Sequence, residues 1–310
     1  MKDKLISICK ILHIKHVGIA SIGPYWDLEN ILRERNQKNG GGPLNEVELR
    51  KKIDPRETME EAQSVIVCLF PYFSGYGPKT NLAKYTHGRD YHLIIKEKLN
   101  IIGDLLKEQI AGFKYVAFTD TGPLIDRHLA YLAGLGFYGL NHHIINEKYG
   151  SYVLIGYIVN NYPFEADEPL HKKCDQCGAC IEKCPGKALG TDYQMDTTKC
   201  LSSISQKKGE LSENEALSLK NNRLVFGCDL CQDICPHNRK ISSTPLKEFQ
   251  EDLVHELEVK DVEGLSNKEF KAKYGERAFS WRGKQPILRN LKLCKGEDCS
   301  PEIEKMKQEE

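Results

Sequence analysis

The sequence lacks an excess of either charge: 44 Lys plus Arg stand against 44 Asp plus Glu in 310 residues. No global field therefore draws the chain onto nucleic acid or membrane, and any site for a polyanion has to be a local patch. Long hydrophobic runs are also missing, since no uninterrupted apolar stretch approaches the ~20 residues that cross a bilayer. The opening stretch MKDKLISICKILHIKH has apolar residues at helical spacing, but Lys10, His13, Lys15 and His16 interrupt it where an export signal would exclude them. The expectation is a cytoplasmic protein with no membrane partner. Low-complexity segments are absent as well. In the first half cysteine is scarce, with only Cys9 and Cys68, both in apolar patterns that read as buried core thiols.

What is abundant is cysteine in the second half: ten of twelve follow residue 170. Where thiols stay reduced, such density points to metal rather than disulfides. Cys174, Cys177, Cys180 and Cys184-Pro185 form the run C-x2-C-x2-C-x3-C-P, in which three thiolates hold one cubane cluster and the fourth reaches a second. Cys228, Cys231 and Cys235-Pro236 form a shortened partner run. Crossed ligation gives Cys174, Cys177, Cys180 and Cys235 to one cluster and Cys184, Cys228 and Cys231 to the other, with Cys200 between the arrays as the fourth ligand. Structural zinc also uses C-x2-C pairs, but the triple spacing closed by Cys-Pro favours iron–sulfur. Cys294 and Cys299 read as incidental.

The composition divides the chain into residues 1–165, 166–245 and 246–310. In the first, HVGIASI, SVIVCLF, KYVAFTD and SYVLIGYIV read as strands and YHLIIKEKLNIIGDLLKEQI as the longest helix, an α/β or α+β pattern with helices packed on a sheet. GLGFYG fits a dinucleotide fingerprint in letters only, because it follows a helical stretch; its glycines read as a helix C-terminus and turn. NGGGP at residues 39–43 lacks the Lys-Ser/Thr of a phosphate loop and reads as a connection. Asp120 follows a strand, where a carboxyl can face a crevice. It can equally cap a helix, with Thr121 as a further cap and Pro123 in the first turn.

The arrays CDQCGACIEKCPGKAL and GCDLCQDICPHNR, with CLSSIS, FTDTGPLIDRHLA, GRDYH and GLGFYGLNHHIINEKYGSYVLIG, together resemble epoxyqueuosine reductases over roughly residues 10 to 240. The resemblance implies a cobalamin-binding α/β domain related to reductive dehalogenases, a ferredoxin-like double [4Fe-4S] domain and a short, basic helical C-terminal segment that looks like a truncated repeat. It implies two-electron removal of the epoxide oxygen from epoxyqueuosine in tRNA through cob(I)alamin, fed by the clusters and an external electron donor. Asp120 is then the proton donor, with a pKa raised by a desolvated crevice. Asp90, Tyr91, His92, Asn141, Ile144, Ile155 and Ser202 become cobalamin contacts. The motif D-x-H-x-x-G is absent, so no protein histidine is expected beneath the cobalt.

KAKYGERAFSWRGKQPILRNLK, from Lys271, carries seven Lys or Arg against one Glu, interleaved with Tyr274, Phe279 and Trp281. Such a run is ordinarily a solvated face. With an RNA substrate, Arg282, Lys284 and Arg289, together with Lys207, Lys208, Arg239 and Lys240, become phosphate contacts. Two other functions fit parts of the sequence: a corrinoid reductase of a small molecule, and a ferredoxin-like carrier. The carrier leaves the first 165 residues unexplained.

Overall fold

The computed structural model describes residues 1–38, 45–75 and 80–295. The glycine-rich 39–43 and Cys299 lie outside them. The first region runs α1 (Lys2–Ile11), β1 (His16–Ala20), α2 (Glu29–Lys38), α3 (Glu46–Ile53), β2 (Ser64–Pro71), α4 (Tyr91–Gln109), β3 (Tyr115–Thr119), α5 (Asp126–Leu132), β4 (Phe137–Tyr138), β5 (Ile144–Ile145) and β6 (Val153–Asn160). After it come α6 (Ala179–Lys183), α7 (Leu201–Ser205), α8 (Glu213–Asn222), α9 (Leu230–Asp233), α10 (Asn267–Tyr274) and α11 (Lys284–Lys295).

The four strands read from sequence form one sheet in the order β1-β2-β6-β3, antiparallel at every step. β2 is buried along its whole length, which is why it reads as an unbroken apolar run instead of alternating with polar residues. Its two faces separate by the period of two. Ile66, Cys68 and Phe70 pack with Leu5, Ile8 and Cys9 of α1 and Ile94, Ile95, Leu99 and Ile102 of α4. Val65, Val67 and Leu69 pack with Leu49 and Ile53 of α3 and Leu129 and Ala130 of α5. Cys9 and Cys68 are fully buried, as their patterns imply.

α4 lies across β3, where Gly103 is required: a Cβ there would stand 2.3 Å from the Tyr115 ring. The edge strand β1 is partly covered by the polar connection that follows β6. Asp167 accepts from the Ile19 N–H (2.8 Å), donates its own N–H to Ile19 O (2.8 Å) and pairs with Lys2 (2.6 Å). As expected, Gly134 ends α5 in the left-handed region at φ 65°.

The C-terminal segment contributes to two cores. Leu246, Phe249 and Ala278 join the α1/α4 side of the sheet. Phe270, Tyr274, Phe279, Ile287 and Leu291 pack with Val225 and Phe226, next to the second cysteine array. Arg277, 9% exposed, donates to the carbonyls of His87 (3.0 Å) and Asp252 (2.6 Å) and pairs with the Asp252 carboxylate, so one cation of the basic stretch is structural.

A buried polar joint fastens the cysteine region to the sheet. The Asn238 side chain accepts from Ser151 N–H (2.7 Å) and donates to Ser151 Oγ (2.8 Å) and Gln232 O (2.7 Å), while Ser151 Oγ donates to Gln232 Oε1 (2.9 Å). Gly150 must be glycine here: its φ is 58°, and a Cβ would lie 1.9 Å from Asn238 Oδ1. Asn238→Ala leaves buried donors and acceptors unmatched, at roughly 1–3 kcal/mol for each group. Its denaturation midpoint should fall accordingly, and a midpoint equal to wild type would show that the joint does not hold the two regions together.

Candidate active site and cluster sites

The eight array thiols sort into two groups in space. Cys174, Cys177, Cys180 and Cys235 line one small cavity with Leu140, Asn141 and His237. Cys184, Cys200, Cys228 and Cys231 line a much larger one of about 520 Å³. Short helices make this partition: α6 carries Cys180 and is followed by Cys184 in extended conformation, Cys200 precedes α7, and α9 contains Cys231 and stops before Cys235. Burial first, then the charges of Asp229, Cys200 and Cys184, push the Cys228 thiol up to about 12. Cys231 is also raised, by burial and then by Cys228, Asp229, Cys200 and Cys184. In the other group burial, Cys235 and Cys174 raise Cys180. Thiolates that repel one another in this way need a shared cationic centre to be stable together. Among the described residues no three His, Cys, Asp or Glu side chains converge on a single-ion site; the thiols ring a space instead, which suits a cluster several atoms across.

The larger cavity also takes in Asp90, Tyr91, His92, Asp120 and Arg127. Asp120 follows β3 at φ 55°, a conformation that a non-glycine residue keeps only when its surroundings hold it. The Asp126 carboxylate accepts its N–H (2.9 Å), and its own carboxylate accepts from Tyr91 Oη–H (2.8 Å) and pairs with His92 Nε2 (3.3 Å). Asp90 caps α4 through the His92 N–H (3.0 Å) and bonds His92 Nδ1 (2.8 Å). Both imidazole nitrogens are thus engaged by carboxylates.

Asp120 is not a helix cap. α5 begins only at Asp126, its N-cap residue is Ile125, and no side chain caps it. The expected roles of Thr121 and Pro123 fail with it, because Leu124 donates its N–H to Tyr157 Oη (3.1 Å) and the chain stays irregular until residue 126. The expected rise in the Asp120 pKa is also reversed. His92 holds Asp120 below its ordinary value, outweighing the opposing effect of burial, with Tyr91 and Arg127 adding to the shift. Burial works to lower His92, but its bonds to Asp120 and Asp90 prevail and push it up to about 9. At neutral pH the proton of the pair therefore sits on the imidazole. Asp126 is pushed up to about 7, chiefly by burial.

The family model for epoxyqueuosine reductase QueG (DUF1730) matches residues 52–121, and the model for a 4Fe-4S double cluster binding domain matches residues 173–238. The epoxyqueuosine reductase of Bacillus anthracis is 33% identical over 305 residues, which cover 95% of this chain and 80% of that one. This chain belongs to the epoxyqueuosine reductase family. Among solved structures, the epoxyqueuosine reductase of Streptococcus thermophilus superposes with a TM-score of 0.86 at 28% identity, covering 99% of this chain and 84% of that one. An epoxyqueuosine reductase with a tRNA-Tyr epoxyqueuosine-modified stem loop superposes at 0.82, with 30% identity and 94% and 80% coverage. The catabolic reductive dehalogenase NpRdhA shares the fold at 0.51, with 14% identity and 93% and 37% coverage.

Of the cofactor contacts expected for an epoxyqueuosine reductase, the large cavity brings together Asp90, Tyr91, His92, Asn141 and Ser202. Ile144 and Ile155 do not line it. Ile144 is buried in the core beside α5, and Val153 and Leu154 of β6 line the cavity where Ile155 was expected. Sequence reading missed Arg127, His142, His143 and Gln206, all cavity-lining. The signal for Arg127 was its place directly after Asp126 in the stretch that carries Asp120. Burial and Arg127 push His142 and His143 down to about 4, which keeps both neutral. His128, by contrast, is buried edge-on against Tyr25, with Nε2 3.6 Å from the Asp27 carboxylate and away from the cavity lining.

A histidine whose folded pKa exceeds its ordinary 6.5 stabilises the fold fully at lower pH and loses that contribution as pH rises through about 9. Asp120, held low, contributes above its ordinary range and loses its share in acid. Wild type should therefore exceed His92→Gln in denaturation midpoint most clearly near about pH 6, and the difference should close by about pH 10. A difference that stays constant across that window would remove the ion pair from the site.

Proposed function

We propose that the chain reduces epoxyqueuosine in tRNA to queuosine in the cytoplasm, with electrons from an external donor. One observation carries this: Asp120 with its bound imidazole and the thiols Cys184, Cys200, Cys228 and Cys231 line the same cavity. A corrinoid reductase of a small molecule would share that cavity, but nothing in such a substrate calls for the cationic and aromatic residues described below.

The residues fit the implied groups. Two sets of four thiols are the donor chemistry that [4Fe-4S] clusters take. The large cavity mixes apolar walls (Val153, Leu154, Leu189, Phe226) with polar ones (Asn141, Ser202), as an amphipathic macrocycle needs, and would hold cobalamin. When bound, cobalamin supplies the strongly reducing centre that amino-acid side chains lack. The chain's own part is protonic. Asp120 presents a carboxylate to the cavity, His92 holds the exchangeable proton 3.3 Å away, and Tyr91 fixes the carboxylate by a 2.8 Å bond. The pair acts as one acid toward the departing oxygen. Asp90 and Asp120 engage both ring nitrogens of His92, which fixes the imidazole beside the carboxylate.

For tRNA, Arg282 stacks on Trp281 with its guanidinium carbon 3.7 Å from the ring centroid. Trp281 donates to Gln206 (2.8 Å), and both line the cavity, so an exposed aromatic face stands beside the reactive groups. Lys208 is exposed and Lys207 pairs with Glu215; these two are proposed phosphate contacts, whereas Arg239 and Lys240, expected in the same role, follow His237 on the side of the small Cys177 cavity. Lys284 donates to the carbonyls of Glu263 and Leu265, and Arg289 to those of Lys207 and Gly209. A phosphate role for these two has to coexist with those bonds. No described helix is long and apolar enough to cross a membrane.

Anaerobic reconstitution should load about eight iron atoms, and Cys200→Ser should damage one cluster; an unchanged iron content and spectrum would remove Cys200 from the ligands. Asp120→Asn should keep iron and cobalamin and lose ~10²–10⁴-fold in conversion of epoxyqueuosine-containing tRNA. Near-normal turnover would sink the acid. Trp281→Ala should weaken tRNA binding by roughly 1–3 kcal/mol without changing iron content, and an unaltered affinity would remove the stacking face.

A further inference from the structure

The two thiol groups face different surroundings. Cys184, Cys200, Cys228 and Cys231 line the reactive cavity, whereas the other group lines a separate one and reaches solvent at Cys177, which is exposed. Around Cys177 the surface is cationic. Lys172 and Lys173 precede the group and are exposed. Lys148 is exposed beside Glu147, which pairs with Lys172, and its ammonium lies 5.5 Å from the Tyr149 ring centroid. His237, which lines the same small cavity, lies 3.3 Å from Asp175, and the turn that follows it presents Arg239 and Lys240 to solvent. The segments that flank this group thus expose five cations, while Glu147 pairs with Lys172 and Asp175 with His237, on a chain with no net charge.

We propose that this face docks an acidic, low-potential one-electron carrier protein, and that the Cys174/Cys177/Cys180/Cys235 group is where electrons enter. The inference rests on the cluster-holding role given to these thiols above. Electron transfer needs close approach to a redox centre and only a short-lived encounter, which complementary charge promotes by steering while leaving dissociation fast. Opening an epoxide to an alkene and water takes two electrons and two protons. Two carrier encounters therefore serve one turnover, each oxidising one carrier and passing one electron to the exposed group, while protons enter on the cavity side through His92 and Asp120. RNA is the other polyanion that could use a cationic face. It is disfavoured here because the stacked Trp281–Arg282 pair lies on the reactive cavity, which Cys177 does not line.

The test compares wild type with Lys148→Gln/Lys172→Gln/Lys173→Gln, both reconstituted with iron and sulfide. Stopped-flow reduction by a photoreduced acidic flavodoxin is followed over a range of ionic strength, beside reduction by the small molecule methyl viologen radical and tRNA affinity. The triple variant should lose roughly tenfold or more in second-order rate with flavodoxin at low salt, with a flatter salt dependence. Its iron content, viologen reduction and tRNA affinity should equal those of wild type. An unchanged flavodoxin rate and salt slope would overturn the docking face, as would a parallel loss of tRNA affinity, which would assign the face to RNA. Failure of viologen-reduced wild type to form queuosine would count instead against the functional reading, and the flavodoxin kinetics would still decide the docking face.

Discussion

The cavity exists because two regions are held in register by buried polar bonds, and that joint constrains everything else. Asp120 and His92 come from the sheet region and the thiols from the cysteine region, so a small shift between them would separate acid from electron source. Apolar packing alone tolerates such shifts, whereas hydrogen bonds fix distance and direction, and their buried groups are costly when unmatched. Asn238, Ser151 and Gln232 bond one another, and Gln232 Nε2 donates onward to Asp229 (3.1 Å). A second set of bonds lies nearby. Lys84 donates its N–H to Asp229 (2.6 Å) and its ammonium to Asp233 (2.6 Å), which also accepts from Tyr152. Gln232, Asp229 and Asp233 sit among Cys228, Cys231 and Cys235, so the residues that dock the array are interleaved with those that hold the clusters.

This interleaving explains a sequence feature that composition could not. The second array is dense in Asp, Gln and Asn, residues that are mostly exposed in proteins, yet Asp229, Gln232 and Asn238 are at most 7% exposed. Asp229 is raised by burial even with Lys84 beside it. These polar residues face inward to meet the sheet. The zero net charge likewise hides a local cationic patch, the Lys and Arg of the C-terminal stretch from Lys271.

Much of the fold was legible in the sequence. All four strands of the main sheet, the long helix, the glycine stop after α5 and the two thiol sets follow from periodicity and spacing, which are local signals. Strand order is set by pairings between distant segments, so the antiparallel sheet could not be read from helix and strand alternation. The crevice rule for open parallel sheets consequently drew attention to Asp120 without being the reason for its position, which comes from α4 lying over β3. Ile144 stands outside the cavity lining, which the sequence could not show because a two-residue strand gives too short a pattern to tell which face meets the cavity. Arg127 donates to the carbonyl of His142, fifteen residues further along, a contact that no local pattern shows.

The electrostatics of Asp120 show why burial by itself is a poor guide to an acid. A desolvated carboxyl with no partner would hold its own proton, and that was the sequence expectation. Here the carboxylate has a histidine partner, itself held by Asp90, and hydrogen bonding to the charged form outweighs burial. The consequence is a pair that carries a transferable proton up to about pH 9 while keeping a charged, fixed carboxylate at the cavity. Its position is secured from three sides, by Asp126 on its N–H, Tyr91 on its carboxylate and His92 beside it. An acid built from two residues needs no extreme pKa in either. Because His92 also follows Asp90, the cap of α4, the helix that lies over β3 also aligns the proton source with Asp120.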